Sequence, residues 1–289
     1  MELRHLRYFI KAAELLHFTR AAESLFISQP TLSVHIQQLE EELGAELFAR
    51  VGRGVRLTQA GELLLARARQ AVHELEEAGE EIDAISGVVR GSLSIAALPL
   101  YGSKLFPGWI TAFSAIHPDV RIKARSGATE DIEAGLLSGV IDLGFSILPP
   151  EHPEISSTEL VNDELVLVFS KNHPLAKSKV LTFENLRELT MALPSSRISS
   201  ARGLLEYFGR HSVQPNVVLE YDDGHALIKI IKDGHLVTCL PRITVEDVSD
   251  IKFLPLPAEG QKIKTGAMWI HLSPAAKAFL EIAVEHYKS

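Results

Sequence analysis

A single cysteine, Cys239, excludes an intrachain disulfide, a two-thiol switch and any multi-cysteine metal site. No stretch approaches the run of about 18 apolar residues that a membrane-spanning helix requires. Met1-Glu2-Leu3-Arg4-His5 lacks a basic lead into an apolar segment, which points away from secretion and toward the cytoplasm. Positive charge is in deficit: 29 Lys and Arg against 37 Asp and Glu leave a formal charge of -8, so the chain is not coated for nucleic acid. Catalytic signatures are missing as well. There is no Walker-type loop, no GxSxG elbow and no Gly-x-Gly-x-x-Gly after a strand. Twelve histidines include no His-x-x-x-His pair and no HExxH, so no metal, cofactor or enzymatic role is expected.

What is present is a soluble globular composition, 46% hydrophobic and 23% charged, over 289 residues, enough for one large domain or two to three smaller ones. The charge is unevenly spread. Residues 1–58 carry seven basic and seven acidic side chains, residues 59–87 two and seven, and residues 88–289 carry 20 and 23. The first block is therefore the least acidic, which permits contact with DNA without proving it.

Periodicity divides the chain into three parts. Residues 3–43 read as three helices. The first is marked by Leu3, Leu6, Phe9, Ile10 and Ala13. The second is capped by Thr19 and buries Ala21, Ala22, Leu25 and Phe26. The third carries Leu32, Ile36, Leu39 and Leu43 and ends at Gly44. Leu47–Arg50 and Val55–Leu57 flank Val51-Gly52-Arg53-Gly54 as a β-hairpin. This gives a DNA-binding domain over residues 1–58. Thr58 then caps a long helix over 59–87, a linker whose stripe runs from Leu63 and Leu64 through Ala68, Ala71, Leu75, Ala78 and Ile82 to Ile85. An isolated helix with one apolar seam needs a partner, here the same helix of a second chain. Residues 88–289 alternate strand and helix, predicting two α/β lobes around a cleft, one over about 91–161 with 266–289 and the other over about 162–265.

The third helix turns an unusual face outward. Opposite Leu32, Ile36 and Leu39 lie Pro30, Val34, Gln37 and Glu41, with Thr31, Ser33 and Gln38 on the flanks. Amides can read adenine edges, hydroxyls can reach bases or phosphates, and the Val34 methyls suit thymine. An ordinary amphipathic helix capped by Ser28 accounts for the wheel equally well. Arg50, Arg53 and Arg56 beside the hairpin would, alone, be a solvated surface; following an amide-bearing helix, they suit a wing that meets phosphates or the minor groove.

Residues 1–87 resemble the DNA-binding head and linker helix of LysR-type transcriptional regulators. The resemblance rests on Leu3-Arg4-His5-Leu6-Arg7-Tyr8-Phe9, Phe18-Thr19-Arg20-Ala21-Ala22, Ser28-Gln29-Pro30-Thr31-Leu32-Ser33, Ile36-Gln37-Gln38-Leu39-Glu40, Leu43-Gly44, Leu47-Phe48-Ala49-Arg50 and Arg56-Leu57-Thr58-Gln59-Ala60-Gly61. The remainder is similar to that family's effector-binding domain, and within it to regulators of cyanate or small-carboxylate metabolism. The resemblance implies a winged helix-turn-helix joined to a two-lobed, periplasmic-binding-protein-like α/β domain. It implies a homodimer through the linker helix, assembled as a homotetramer, that binds partly palindromic double-stranded DNA, answers a small-molecule effector and can meet RNA polymerase. Gln29, Pro30, Thr31, Ser33 and Val34 then fall on base-reading positions and Arg50 and Arg53 on the wing; Thr19, Arg20 and Gln37 complete the candidate DNA contacts.

Ligands of open α/β sheets bind where strands end and helices begin. That places candidate effector contacts at Pro99, Leu100, Tyr101 and Ser103, at Ala128 and Thr129, at Ser146, and at Ser199, Ser200 and Arg202. Each hydroxyl-rich turn is also a plain helix cap. Leu100 stands where relatives carry Ser or Thr, predicting a less polar wall, while the serines and Arg202 favour a small organic or inorganic anion. A solute-binding or transport component fits the second half alone, and an α/β enzyme ranks behind it for want of a catalytic constellation.

Overall fold

The computed structural model describes residues 1–52, 54–85, 89–195, 199–258 and 260–288. The chain separates into two compact units, Met1–Val88 with Leu137–Val140 and Val89–Leu136 with Ile141–Ser289.

The first unit opens with α1 (Leu3–Leu15), α2 (Phe18–Ser24) and α3 (Gln29–Leu43). Ser28 caps α3 by accepting from Thr31 N at 3.2 Å, and Gly44, at φ 67°, ends it in the left-handed conformation that glycine adopts without strain. Two sequence expectations need correction here. The cap of α2 is His17, whose Nδ1 accepts from Arg20 N at 3.3 Å, so Thr19 lies inside the first turn. Phe26 is not on the buried face but 96% exposed. The reason is the way α2 stops: Ile27 N reaches Ala22 O (3.0 Å) and Phe26 N reaches Glu23 O (3.1 Å), with Phe26 at φ 56°. That Schellman closure turns residue 26 out of the helix face on which Ala21 and Ala22 are buried.

The hairpin β1 (Phe48–Val51) and β2 (Gly54–Leu57) pairs antiparallel, with Phe48 opposite Leu57 and Val51 opposite Gly54. Then α4 (Gln59–Ile85) runs for 27 residues. Thr58 Oγ1 accepts from Gly61 N at 3.0 Å, capping it. The apolar stripe of α4 splits in two. Ala68 and Val72 are buried against α1 and α3, with Leu64 and Leu65 partly covered. Ala71, Leu75, Ala78, Ile82 and Ile85 remain exposed at 4-3-4-3 spacing.

In the second unit, β3 (Gly91–Ala97) leads into α5 (Pro99–Ile116), β4 (Val120–Ser126), α6 (Thr129–Leu137) and β5 (Leu143–Ile147). Strand β3 pairs parallel with both β4 and β5, the expected βαβαβ unit. The long β6 (Ser156–Ser170) follows, then α7 (Phe183–Glu188), β7 (Thr190–Pro194), α8 (Ser199–Arg210), β8 (Asn216–Tyr221), α9 (Gly224–Asp233), β9 (Thr238–Pro241), β10 (Ile251–Pro255), β11 (Gln261–Trp269) and α10 (Pro274–Lys288). The lobes are not two parallel sheets. A path β10-β6-β11-β5-β3-β4 joins them, with β9 on β6, and β11 runs antiparallel to both β5 and β6. Strands β7 and β8 form a separate parallel pair, tied by a bridge from Met191 to Val237 just before β9.

Strands β6 and β11 feed two lobes. Ala267 of β11 is buried with Trp109, Phe113, Phe145 and Phe279 in the first core. Along β6 the side chains alternate: Leu165, Leu167 and Phe169 pack with Leu193, Tyr207 and Phe208, whereas Val166 and Val168 pack with Leu227, Ile231 and Leu240. A strand buried on both faces reads as a continuous apolar run, which is what Leu165–Phe169 is.

Candidate DNA-reading face and effector cleft

In the head, the core packs α1, α2 and α3 so that one side of α3 is sealed and the other is open. Leu32, Ile36 and Leu39 are buried, while Gln29, Pro30, Thr31, Val34 and Gln37 are exposed and Ser33 is half-buried. Glu40, on the flank, fixes the hairpin: its Oε1 accepts from Leu47 N at 2.7 Å and from Phe48 N at 3.2 Å. Phe48 then sits edge-on to Phe9 and Phe18. The outcome is a groove of about 520 Å³ between α3 and the hairpin, whose walls include Thr19, Gln29, Ser33, Gln37 and Arg50. Five of the ten expected DNA contacts thus share one concavity. Pro30, Thr31 and Val34 stand exposed on α3, Val34 by 51%. Arg53 lies outside the described residues.

The polar groups of this face are loosely held. Gln29 Nε2 donates to Ser33 Oγ at 2.8 Å, Gln37 Nε2 to Glu41 Oε1 at 2.9 Å, and the Ser28 and Thr31 hydroxyls lie 2.7 Å apart. All are exposed pairs three or four residues apart, weak enough for a base edge to replace. Arg20 and Arg50 are exposed and make no ion pair among the described residues, leaving both guanidinium groups available to phosphate. Sequence reasoning missed Glu40 as the hairpin's anchor; only its place in the Gln37-Gln38-Leu39-Glu40 segment marked it.

In the second unit, the first turn of α5 at Pro99 and Ser103, the end of β4 at Ser126 and the first turn of α9 at His225 line one hollow. Pro99, Leu100 and Tyr101 line a small cavity of about 60 Å³ together with Ile147, Leu240 and Ile263. Tyr101 is 4% exposed and donates its hydroxyl to Asp163 Oδ2 at 3.1 Å. Burial, followed by the Asp163 charge, pushes the Tyr101 phenol far above its ordinary range. Burial likewise raises the Asp163 carboxyl, against backbone donors from Glu164 and Ile243 that pull it down. The expected hydroxyls are mostly engaged. Ser146 Oγ donates to Thr129 Oγ1 at 2.9 Å, both buried. Ala128 N is taken by Asp131 Oδ2 at 3.3 Å. Ser103 Oγ bonds Leu100 O at 2.9 Å and lies 2.8 Å from His225 Nε2 across the cleft. Arg202 donates to Glu130 Oε1 at 2.6 Å, an ion pair between lobes rather than a free cation. Ser199 and Ser200 open α8, and their side chains lie outside the described residues. Gly224, Leu240 and Ile263 were not foreseen as lining, because nothing local marks residues that meet only through tertiary packing.

Cys239 is buried on β9, and burial pushes its thiol up to about 12, so it is an inert core residue. Among the described residues, no helix is long and apolar enough to cross a membrane.

Comparison with known proteins agrees with this geometry. Residues 3–62 match the family described as bacterial regulatory helix-turn-helix protein, lysR family, and residues 86–288 match the LysR substrate binding domain. The chain is 32% identical to the Hca operon transcriptional activator HcaR of Escherichia coli, across 100% of this chain and 99% of that one. It is 30% identical to the regulator YybE of Bacillus subtilis, across 99% of both. Among solved structures, full-length CbnR in complex with its target DNA is similar with a TM-score of 0.72 and 26% identity, covering 99% of this chain and 100% of that one. Full-length OxyR of Pseudomonas aeruginosa shares the fold, with a TM-score of 0.79 at 24% identity over 100% of this chain and 95% of that chain. The chain therefore belongs to the LysR family of DNA-binding transcriptional regulators, with a helix-turn-helix head and a C-terminal effector-binding domain.

Proposed function

We propose that this chain binds a partly palindromic promoter site as a homodimer, places the N-terminal end of α3 in the major groove and the hairpin against the flanking backbone, and changes its grip when a ligand enters the interlobe cleft. The observation that carries the reading is the groove uniting Thr19, Gln29, Ser33, Gln37 and Arg50, with Arg20, next to Thr19 in sequence, making no ion pair among the described residues. Amides and hydroxyls from one helix face, edged by arginine, have the donor and acceptor variety that base edges require. The exposed seam Ala71-Leu75-Ala78-Ile82-Ile85 supports two-fold pairing, since a 4-3-4-3 apolar row is what antiparallel or parallel helix partners cover. In this reading residues 1–58 are the head, 59–87 the linker and 88–289 the effector domain, with lobes over about 91–161 plus 266–289 and 162–265. Pairs of dimers form the tetramer. The chain works in the cytoplasm beside RNA polymerase and carries out no catalysis of its own.

The test is a footprint with the full-length protein on random-sequence selected fragments. The expected result is protection of a site with two half-sites about one helical turn apart or a multiple of it. A correctly folded sample that prefers no duplex over bulk competitor, with or without metabolites, overturns the proposal.

A further inference from the structure

Leu100 belongs to α5 of the first lobe, yet its side chain packs against the second lobe's core beside Leu227 and Ile228. Gly224, the first residue of α9, receives it. A Cβ built at 224 would meet Leu100 Cδ1 at 2.7 Å, Cγ at 2.9 Å and Cδ2 at 3.2 Å. A side chain at 224 and a leucine at 100 therefore exclude each other while the lobes sit as they do. Both residues line the cavity of about 60 Å³, whose other walls include Ile147, Leu240, Pro241 and Ile263. That volume equals the liquid share of about two waters, too small for a metabolite.

The lining is also mostly aliphatic: Leu98, Pro99, Leu100, Ile147, Leu240 and Ile263. Arg202, the cation expected to meet a small anion, pairs with Glu130. An anion entering here would leave water for aliphatic walls, whereas an apolar body would trade water for the contacts that Leu100 now makes. We propose that Leu100 is an apolar plug bridging the lobes, and that the effector is a compact, predominantly hydrocarbon molecule, an aromatic ring or branched alkyl body, that takes its place. The proposal deepens the reading of the cleft as the effector site and rests on it.

Full-length protein carrying Leu100→Ala, Gly224→Ala or both provides the test. Gly224→Ala alone should lower Tm, and in the Leu100→Ala background the same change should cost nothing, because the atom it strikes is gone. Calorimetry at constant ionic strength should find saturable benzene binding to Leu100→Ala, at least ten-fold tighter than acetate. Additive Tm changes, or acetate binding tighter than benzene, overturn the proposal. Should Leu100→Ala not fold, Leu100→Val removes the δ carbons at 2.7 and 3.2 Å but keeps a γ carbon, so in that background Gly224→Ala should cost less than in the parent rather than nothing. Footprinting separates the two readings. Benzene binding with an unchanged footprint keeps the ligand class and removes the gating role. A footprint altered by acetate but not benzene keeps the gating and overturns the ligand class.

Discussion

The two units place their chemistry on opposite sides of their cores. In the head the apolar residues are sealed inward and the groups proposed to read DNA, Gln29, Thr31, Val34, Gln37 and Arg50, stand in water. In the effector unit the surface we propose for recognition lies inside, an apolar hollow whose walls include Leu100, Ile147, Leu240 and Ile263. A polymer with regular edges and a charged backbone is met by exposed donors and arginines; a small molecule must be taken out of water to be told apart from its neighbours. The contrast makes separable demands on stability and on binding.

The largest effect should come from the effector core. Trp109 is 2% exposed, with its ring centroid 4.9 Å from Phe145 and 6.4 Å from Phe279. Trp109→Ala should destabilise that unit by about 3–5 kcal/mol. None of these side chains belongs to the head's core, formed by Phe9, Leu32, Leu39 and their neighbours. Denaturant unfolding should therefore show one transition moved and the one reporting the head retained. A single transition shifted as a whole would break the distinction between the units.

The complementary change is Gly61→Ala. A Cβ there would lie 2.2 Å from Leu47 O and 2.9 Å from Leu57 Cδ2, so α4 could not sit as close to the hairpin. Overpacking of this kind costs about 1–3 kcal/mol, and DNA affinity should fall with the head's Tm while the effector unit's transition holds.

Within the reading face the effects should divide by role. Gln29→Ala should cost roughly 1–3 kcal/mol at one base pair and relax preference there. Arg50→Ala should weaken every sequence alike and reduce the salt slope by about 1. Binding measured on single-base variants of the footprinted site, at several salt concentrations, decides between them. Reversed roles would mean that the helix and the hairpin approach DNA differently from the arrangement inferred from the groove.

The same contrast explains what could be read in advance. Head chemistry is local: Leu32, Ile36 and Leu39 at helical spacing, Ser28 before them and Gly44 after them specify α3 and its outward face without tertiary information. Phe26 escaped because its neighbours Ala21, Ala22 and Leu25 continue a helical stripe, and only the Schellman closure turns it out. The first half of β6, Ser156–Glu164, carries no strand signal of its own: its mixed polar sequence is made a strand by pairing with β11, not by alternation. Strand β10 is likewise a strand by virtue of β6. The Arg202–Glu130 pair could not be read in advance, since the two residues stand 72 apart in sequence. Convergence of this kind has no signature in a window.

The smallest effect expected lies at the back of the cleft. Asp163 lies on β6, the strand shared by both lobes, and holds the Tyr101 hydroxyl that backs the cavity. Burial raises its folded pKa above the unfolded value of about 3.9. The folded state then keeps a proton that the unfolded chain has already released. This contribution to stability is full below pH ~4 and is lost as pH rises through the raised folded value, leaving an ionised, partly buried carboxylate as a standing cost at neutral pH. Asp163→Asn removes the titration, but its single amide oxygen can keep only one of the Tyr101 hydroxyl and the Glu164 N–H, which Oδ2 and Oδ1 now hold separately. The lost acceptor lowers Tm at every pH, and the variant's deficit against the parent should be smaller at pH 7 than on acidification toward pH 4. A Tm difference that does not change with pH over this window would show that Asp163 bears no such cost, and that the Tyr101 contact matters to the cleft only through its geometry.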